Sequence, residues 1–142
     1  MRCPICDEDV ETEEHIFVHC NLARKIWKDV LHWWKVDNVN VLSLLEAINL
    51  VDKVSLPPPL STLFDAVVQT ALWSLWRYRN EFAFAPKRPN LDLLFNDIKL
   101  FSFNWITNRH KKIPLIGLSG LIILVTLFQL LCNCFSLLLA PC

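Results

Sequence analysis

Apolar side chains recur every three or four positions through most of this chain, the spacing of one face of an α-helix. The first such run predicts an amphipathic helix over about residues 21–35, with Asn21 as a candidate N-cap. Lysines occupy the polar positions of this run, as expected for the solvated face of a helix. Residues 41–53 predict a second, shorter helix.

Two longer helices are predicted in the second half of the chain. One begins at Ser61 or Thr62, either of which can cap it, and runs to about Phe84. The next has Asn90 as its cap and runs to about Asn108. The chain shows no sustained alternation of apolar and polar residues, and its two glycines both lie beyond residue 112. These patterns together predict an all-α fold.

The residues that carry chemistry are concentrated near the N-terminus, where three cysteines and a histidine follow the spacing C-x2-C-x8-H-x4-C. Zinc takes four such ligands in a tetrahedral site, and a closed Cys3His shell leaves no open position for catalysis. We therefore predict one structural zinc ion, Zn2+, in a site that resembles a zinc knuckle. The predicted ligands are Cys3, Cys6, His15 and Cys20.

Two alternatives stay open at this point. His19 is adjacent to Cys20 and, with His15, would complete a Cys2His2 set on one face of a helix. Alternatively, Cys3 and Cys6 are free thiols or a redox pair, although a redox C-x-x-C is expected near a βαβ pattern and none follows here. The six cysteines occur without a secretory signal, which favours a reducing, intracellular compartment and metal ligation over disulfides.

The segment E-T-E-E-H-I-F-V-H-C-N-L-A-R-K-I-W, residues 11–27, resembles the zinc-binding domain found downstream of the reverse transcriptase in plant-type non-LTR (LINE) retrotransposons. Weaker similarity at residues 71–84 and 97–109 extends the resemblance over about residues 3–112. The resemblance implies a C-terminal fragment of a retroelement protein. It assigns the four ligand positions to Cys3, Cys6, His15 and Cys20.

The net charge of zero conceals a strong asymmetry along the chain. Residues 1–20 hold six acids and one base, whereas residues 73–112 hold eight bases and three acids. Tryptophan rings beside arginines could stack on the bases of RNA or DNA in the basic stretch, although packing in the helical core and a solvated charged face explain the same residues. The candidate nucleic-acid-binding residues are Trp73, Trp76, Arg77 and Arg79.

The C-terminal tail carries no charged residue from 113 to 142. About 20 apolar residues suffice to cross a bilayer as a helix. The basic cluster at residues 109–112 would keep the N-terminal domain in the cytosol by the positive-inside rule. We therefore predict a long apolar helix over residues 115–139 that contacts a membrane; a buried core helix of this kind would need a larger protein to cover it.

The chain thus divides into a zinc-binding segment with its following helix (1–35), a helical remainder of the same domain (36–112) and an apolar tail (113–142). It contains no glycine-rich phosphate loop, no carboxylate pair and no paired nucleophile and base, so we expect no catalysis. The function favoured by the sequence is a non-catalytic zinc-binding module that contributes to nucleic-acid binding. The alternatives are a membrane-tethered adaptor for an unknown protein partner and a non-functional remnant.

Overall fold

The computed structural model describes residues 1–58 and 60–109, and these residues are mainly helical. No strand occurs among them; the one β-type pairing is an isolated antiparallel bridge between Arg2 and Val10. The prediction of an all-α fold is therefore confirmed for the described residues. A π-helical turn, His15–His19, precedes five α-helices: α1 (Asn21–Trp33), α2 (Leu44–Ile48), α3 (Leu50–Lys53), α4 (Leu60–Phe84) and α5 (Leu91–Arg109).

Helix α1 lies where its apolar stripe predicted it, and that stripe is buried. The predicted cap was wrong. Cys20, not Asn21, holds the N-cap position with an extended backbone, and no side chain caps the helix. The Asn21 amide instead donates to Glu8 Oε2 at 3.0 Å, because Cys20 is fixed by the turn before it and Asn21 is already inside the helix.

The single helix predicted over residues 41–53 is two short helices, α2 and α3, which meet at Asn49. Ser43 caps α2, its hydroxyl accepting the Glu46 N–H at 3.1 Å. At the other end the Asn49 side chain donates to the Leu45 carbonyl at 3.1 Å. Asparagine side chains that bond to nearby backbone compete with the helical ladder, which explains why the helix ends here.

Helices α4 and α5 are long and pack against each other. Helix α4 begins at Leu60, so the predicted caps were wrong: Ser61 and Thr62 lie inside its first turn. Asn90 precedes α5 and its side-chain oxygen accepts the Asp92 N–H at 2.9 Å, as its capping role predicts.

One hydrophobic core joins the N-terminal segment, residues 1–20, to the helices. Two of the predicted metal ligands, Cys3 and Cys20, are buried in this core rather than held at the surface. A small second cluster lies where α4 meets α5, around Leu63 and Ile106. The other fully buried side chains include Ile26 of α1, Leu50 of α3, Phe64 and Leu75 of α4, and Leu94 and Ile98 of α5.

Among the described helices, none is both long and apolar enough to cross a membrane. The predicted span over residues 115–139 lies outside the described residues, as does the whole apolar tail from 113 to 142. The membrane contact and the long apolar C-terminal helix therefore stay predictions.

Candidate metal centre

A tight loop carries the first two cysteines. The Cys3 carbonyl accepts the Asp7 N–H at 3.0 Å, and the Cys3 N–H donates to the Asp9 carbonyl at 2.9 Å. Asp7 has φ 55°, in the left-handed region that aspartate tolerates better than most residues. The chain therefore reverses around Cys6, which leaves Cys3 and Cys6 on the inside of the loop.

A π-helical turn carries the other two predicted ligands. The His15 N–H donates to Thr12 Oγ1 at 3.0 Å, which starts the turn, and the Cys20 N–H donates to the His15 carbonyl at 2.7 Å, which closes it. That bond joins residue i to residue i+5, so the turn is wider than an α-helical one. As a result Cys20, rather than His19, lies over His15.

The ligand atoms of four residues converge, all lying within 4.8 Å of one another. His15 Nε2 and Cys6 Sγ are 3.2 Å apart. Zinc–sulfur bonds of ~2.3 Å and a zinc–nitrogen bond of ~2.0 Å place tetrahedral ligands about 3.5–3.8 Å from each other, so the donors fit a zinc ion after small side-chain movements. The converging residues are Cys3, Cys6, His15 and Cys20.

Neighbouring groups orient these donors. The other imidazole nitrogen, His15 Nδ1, faces the Asp9 carboxylate at 4.0 Å, too long for a direct hydrogen bond but on the side from which a carboxylate orients a metal-bound histidine. The Trp27 indole N–H donates to the Phe17 carbonyl at 2.8 Å and ties the π-helical turn to α1. Neighbouring groups thus already orient the side chains with which the cluster can hold a metal ion.

The electrostatics of the cluster favour a cation. Burial raises the pKa of the Cys20 thiol to about 12, and negative charge on Cys3 and Cys6 adds to the effect. Burial also acts to raise the pKa of the Cys6 thiol, but hydrogen bonds from the Glu8 backbone and the His15 side chain outweigh it and lower that pKa to about 7. Crowded thiolates repel each other, and a bound dication removes that penalty.

A buried ion pair fastens the N-terminal segment to α4. Arg79 Nε and Nη2 donate to the two Glu11 carboxylate oxygens at 3.0 and 2.5 Å. Both side chains are largely buried, at 15% and 13% exposure. The hydrogen bonds to Glu11 raise the pKa of Arg79, so its guanidinium stays protonated. Sequence reasoning missed this pairing, because 68 positions separate its members and no local spacing signals it.

The acids of the N-terminal segment also hold other contacts. Glu14 Oε2 accepts the Leu44 N–H at 2.9 Å and so anchors the start of α2, while Glu8 holds the Asn21 amide. These carboxylates therefore join the segment to the helices.

His19, the alternative ligand, lies outside the cluster. Its side chain is exposed and its Nε2 faces Glu14 Oε2 at 4.0 Å.

The four residues predicted to bind nucleic acid are all on α4, but they differ in their surroundings. Trp73 and Trp76 are each about half exposed, at 48% and 52%. The Arg77 guanidinium lies between the Trp73 and Phe101 rings, 5.1 and 4.9 Å from their centroids, and Arg77 also pairs with Glu81 and Asp97. Arg79 faces the N-terminal segment instead of sharing this surface.

Part of the chain matches a known protein family. Residues 1–27 match the family described as zinc-binding in reverse transcriptase. All four residues of the cluster fall inside the matched range. No curated protein and no solved structure matches the chain. The match supports the reverse-transcriptase zinc-binding part of the resemblance, over about a fifth of the chain.

Substitutions of Cys20 and of its neighbour His19 should show which of the two is the fourth ligand. We expect Cys20→Ser to weaken zinc binding at least tenfold, because the shell loses a buried thiolate. His19→Ala, the matched control, should change zinc affinity less than twofold, since its ring lies outside the cluster. Competition with a chromophoric chelator measures both. Equal losses would show that His19 takes part in the site.

The zinc affinity should rise with pH, because the ligand thiols must lose their protons to bind. With a pKa of about 12, Cys20 is protonated in the metal-free protein across the physiological range, so its proton is always released. Below about pH 7 the proton on Cys6 must leave as well. We expect at least a tenfold loss of affinity per pH unit near pH 8 and a steeper loss below pH 7. An affinity that is constant from pH 6 to 8 would contradict this arrangement.

Removal of the ion pair between Glu11 and Arg79 should destabilise the fold. Arg79→Ala leaves the Glu11 carboxylate largely buried and unpaired, which should cost about 1–3 kcal/mol in the free energy of unfolding. Arg77→Ala is the control on the same helix. Its ion pairs are more exposed, so the loss should stay below about 1 kcal/mol. Urea unfolding of the zinc-loaded protein measures both, and a larger loss for Arg77→Ala would refute the role given to Arg79.

Proposed function

We propose that this protein is a non-catalytic zinc-binding module of the reverse-transcriptase type, in which one structural zinc ion organises the N-terminal segment and the helices around it. The observation that carries this proposal is the convergence of Cys3, Cys6, His15 and Cys20 inside the hydrophobic core. Four protein ligands fill a tetrahedral shell and leave no position for a reacting water, which supports a structural role. The family match over residues 1–27 supports zinc as the metal.

The proposal includes a contribution to binding RNA or DNA. It is supported by the excess of bases in residues 73–112 and by the half-exposed rings of Trp73 and Trp76 beside Arg77. Aromatic rings next to an arginine are suited to stack on unpaired bases. Arg79 contributes differently, by holding the N-terminal segment on α4.

The finer parts of the resemblance belong to the same proposal. A plant-type LINE element as the source, and a C-terminal fragment as the form of the chain, rest on the sequence similarity over about residues 3–112. In such a protein the module would help to hold template or product near the reverse transcriptase, while the reaction itself would take place elsewhere.

The test uses the 142-residue chain, kept in a mild detergent because of its apolar tail, with zinc and after chelation. Chelation should unfold the N-terminal segment, since metal-binding energy in such a site is folding energy. The zinc-loaded protein should bind single-stranded oligonucleotides at about 50 mM salt, and affinity should fall as salt rises. An unchanged free energy of unfolding after chelation would refute the organising role of zinc. Absence of binding at low salt would refute the nucleic-acid role.

A further inference from the structure

An open groove of about 800 Å³ lies between α1 and the segment that follows it, residues 36–42. It is separate from the Trp73 surface, since none of its lining residues belongs to α4 or α5. Its floor is apolar and two of its sides are polar. The apolar lining residues include Val18, Trp27, Leu31, Val36, Val39 and Val41.

The helical wall of the groove carries unpaired positive charge. Arg24 and Lys28 stand one turn apart on α1 and are exposed. Two acids also line the groove: Asp29, whose carboxylate pairs with Lys25 at 2.7 Å, and the exposed Asp37. Within residues 1–58 and 60–109, neither Arg24 nor Lys28 forms an ion pair with a carboxylate (N···O within 4.0 Å).

The opposite wall carries unpartnered polar groups. Asn38 and Asn40 are exposed, and Asn38 has φ 62°, which bends the chain there. In the described part of the chain, the backbone N–H and C=O groups of residues 38–41 make no hydrogen bond to other backbone groups. This wall therefore offers both donors and acceptors to a molecule that enters the groove.

We propose that this groove holds a single strand of nucleic acid, an inference that rests on the nucleic-acid role proposed above. Phosphates would lie along Arg24 and Lys28, whose spacing of about 6 Å follows from one helical turn. Base edges would meet the side-chain amides and free backbone groups of residues 38–41, because unpaired bases present their hydrogen-bonding edges. A duplex uses the Watson–Crick edges of its bases for pairing, so the site favours single strands.

The zinc cluster sets the shape of one end of this groove. Cys20 holds the N-cap of α1, and Val18 and His19, from the same π-helical turn, line the groove. Trp27 is only 3% exposed, so its ring is part of the groove floor and does not offer a surface on which a base could stack. Binding should consequently depend on zinc and rely on phosphate contacts and base edges more than on stacking.

The test is fluorescence anisotropy of a labelled twelve-nucleotide single strand with the zinc-loaded full chain, measured over a range of salt. For single strands the plot of log affinity against log salt has a slope of about −0.7 per phosphate contact. The Arg24→Ala/Lys28→Ala double variant should therefore lower the magnitude of the slope by about 1.4. The control Lys35→Gln should leave the slope nearly unchanged, because Lys35 is exposed but does not line the groove.

A second variant tests the opposite wall. Asn40→Ala should alter the preference among adenine, uracil and cytosine homopolymers with no change in the salt slope, since it removes a base contact and no charge. All variants change exposed residues, so thermal unfolding should match the parent protein.

Each negative result of these binding experiments has its own interpretation. If the parent binds and the double variant keeps the full slope, the groove is the wrong site while the proposed function stands. If Arg77→Ala abolishes binding instead, the aromatic surface of α4 is the site. If the parent binds no nucleic acid at about 50 mM salt, the proposed function fails together with this inference. Selective binding of an extended acidic peptide would overturn it too, since such a chain could pair with the same free backbone groups.

Discussion

The structure depends on the convergence of three thiols and one imidazole, of which Cys6 alone is partly exposed. Cys3 and Cys20 are essentially fully buried, and burial pushes the pKa of the Cys20 thiol to about 12. Without a cation such a cluster keeps protons on its sulfurs or suffers repulsion between thiolates. A dication converts the same crowding into binding energy, which in a site of this kind is folding energy.

The helices are arranged around that cluster by contacts from the N-terminal segment. Cys20 stands at the start of α1, Glu14 accepts the first N–H of α2, and Glu11 holds Arg79 of α4. Some of the acids in this segment therefore bond to groups on the helices. The Arg79 guanidinium neutralises Glu11, whereas Glu8 and Glu14 bond to neutral groups, so the segment still repels phosphate.

The sequence predicted the features that depend on local spacing. Helices α1, α4 and α5 follow from apolar periodicity, and the four residues that converge had been selected from their spacing. It did not predict the break at Asn49, where a side-chain bond to the backbone competes with the helix, or the place of Cys20 at the helix N-terminus. Both depend on short polar contacts that composition does not reveal.

The contacts between distant parts of the chain could not be predicted from the sequence for a different reason. The Glu11–Arg79 pair and the groove between α1 and residues 36–42 bring together groups whose positions are set by the packing of helices. The same packing gives different surroundings to two arginines only two positions apart, Arg77 at an aromatic surface and Arg79 against Glu11. A helical pattern places both on α4 and cannot tell these roles apart.

We propose that one zinc ion binds the three sulfurs and one nitrogen of this cluster. X-ray absorption at the zinc edge of the purified protein tests it most directly. We expect three sulfur scatterers at about 2.3 Å and one nitrogen at about 2.0 Å. Two sulfurs with two nitrogens would place His19 in the site, and an oxygen ligand in the shell would contradict a closed structural centre.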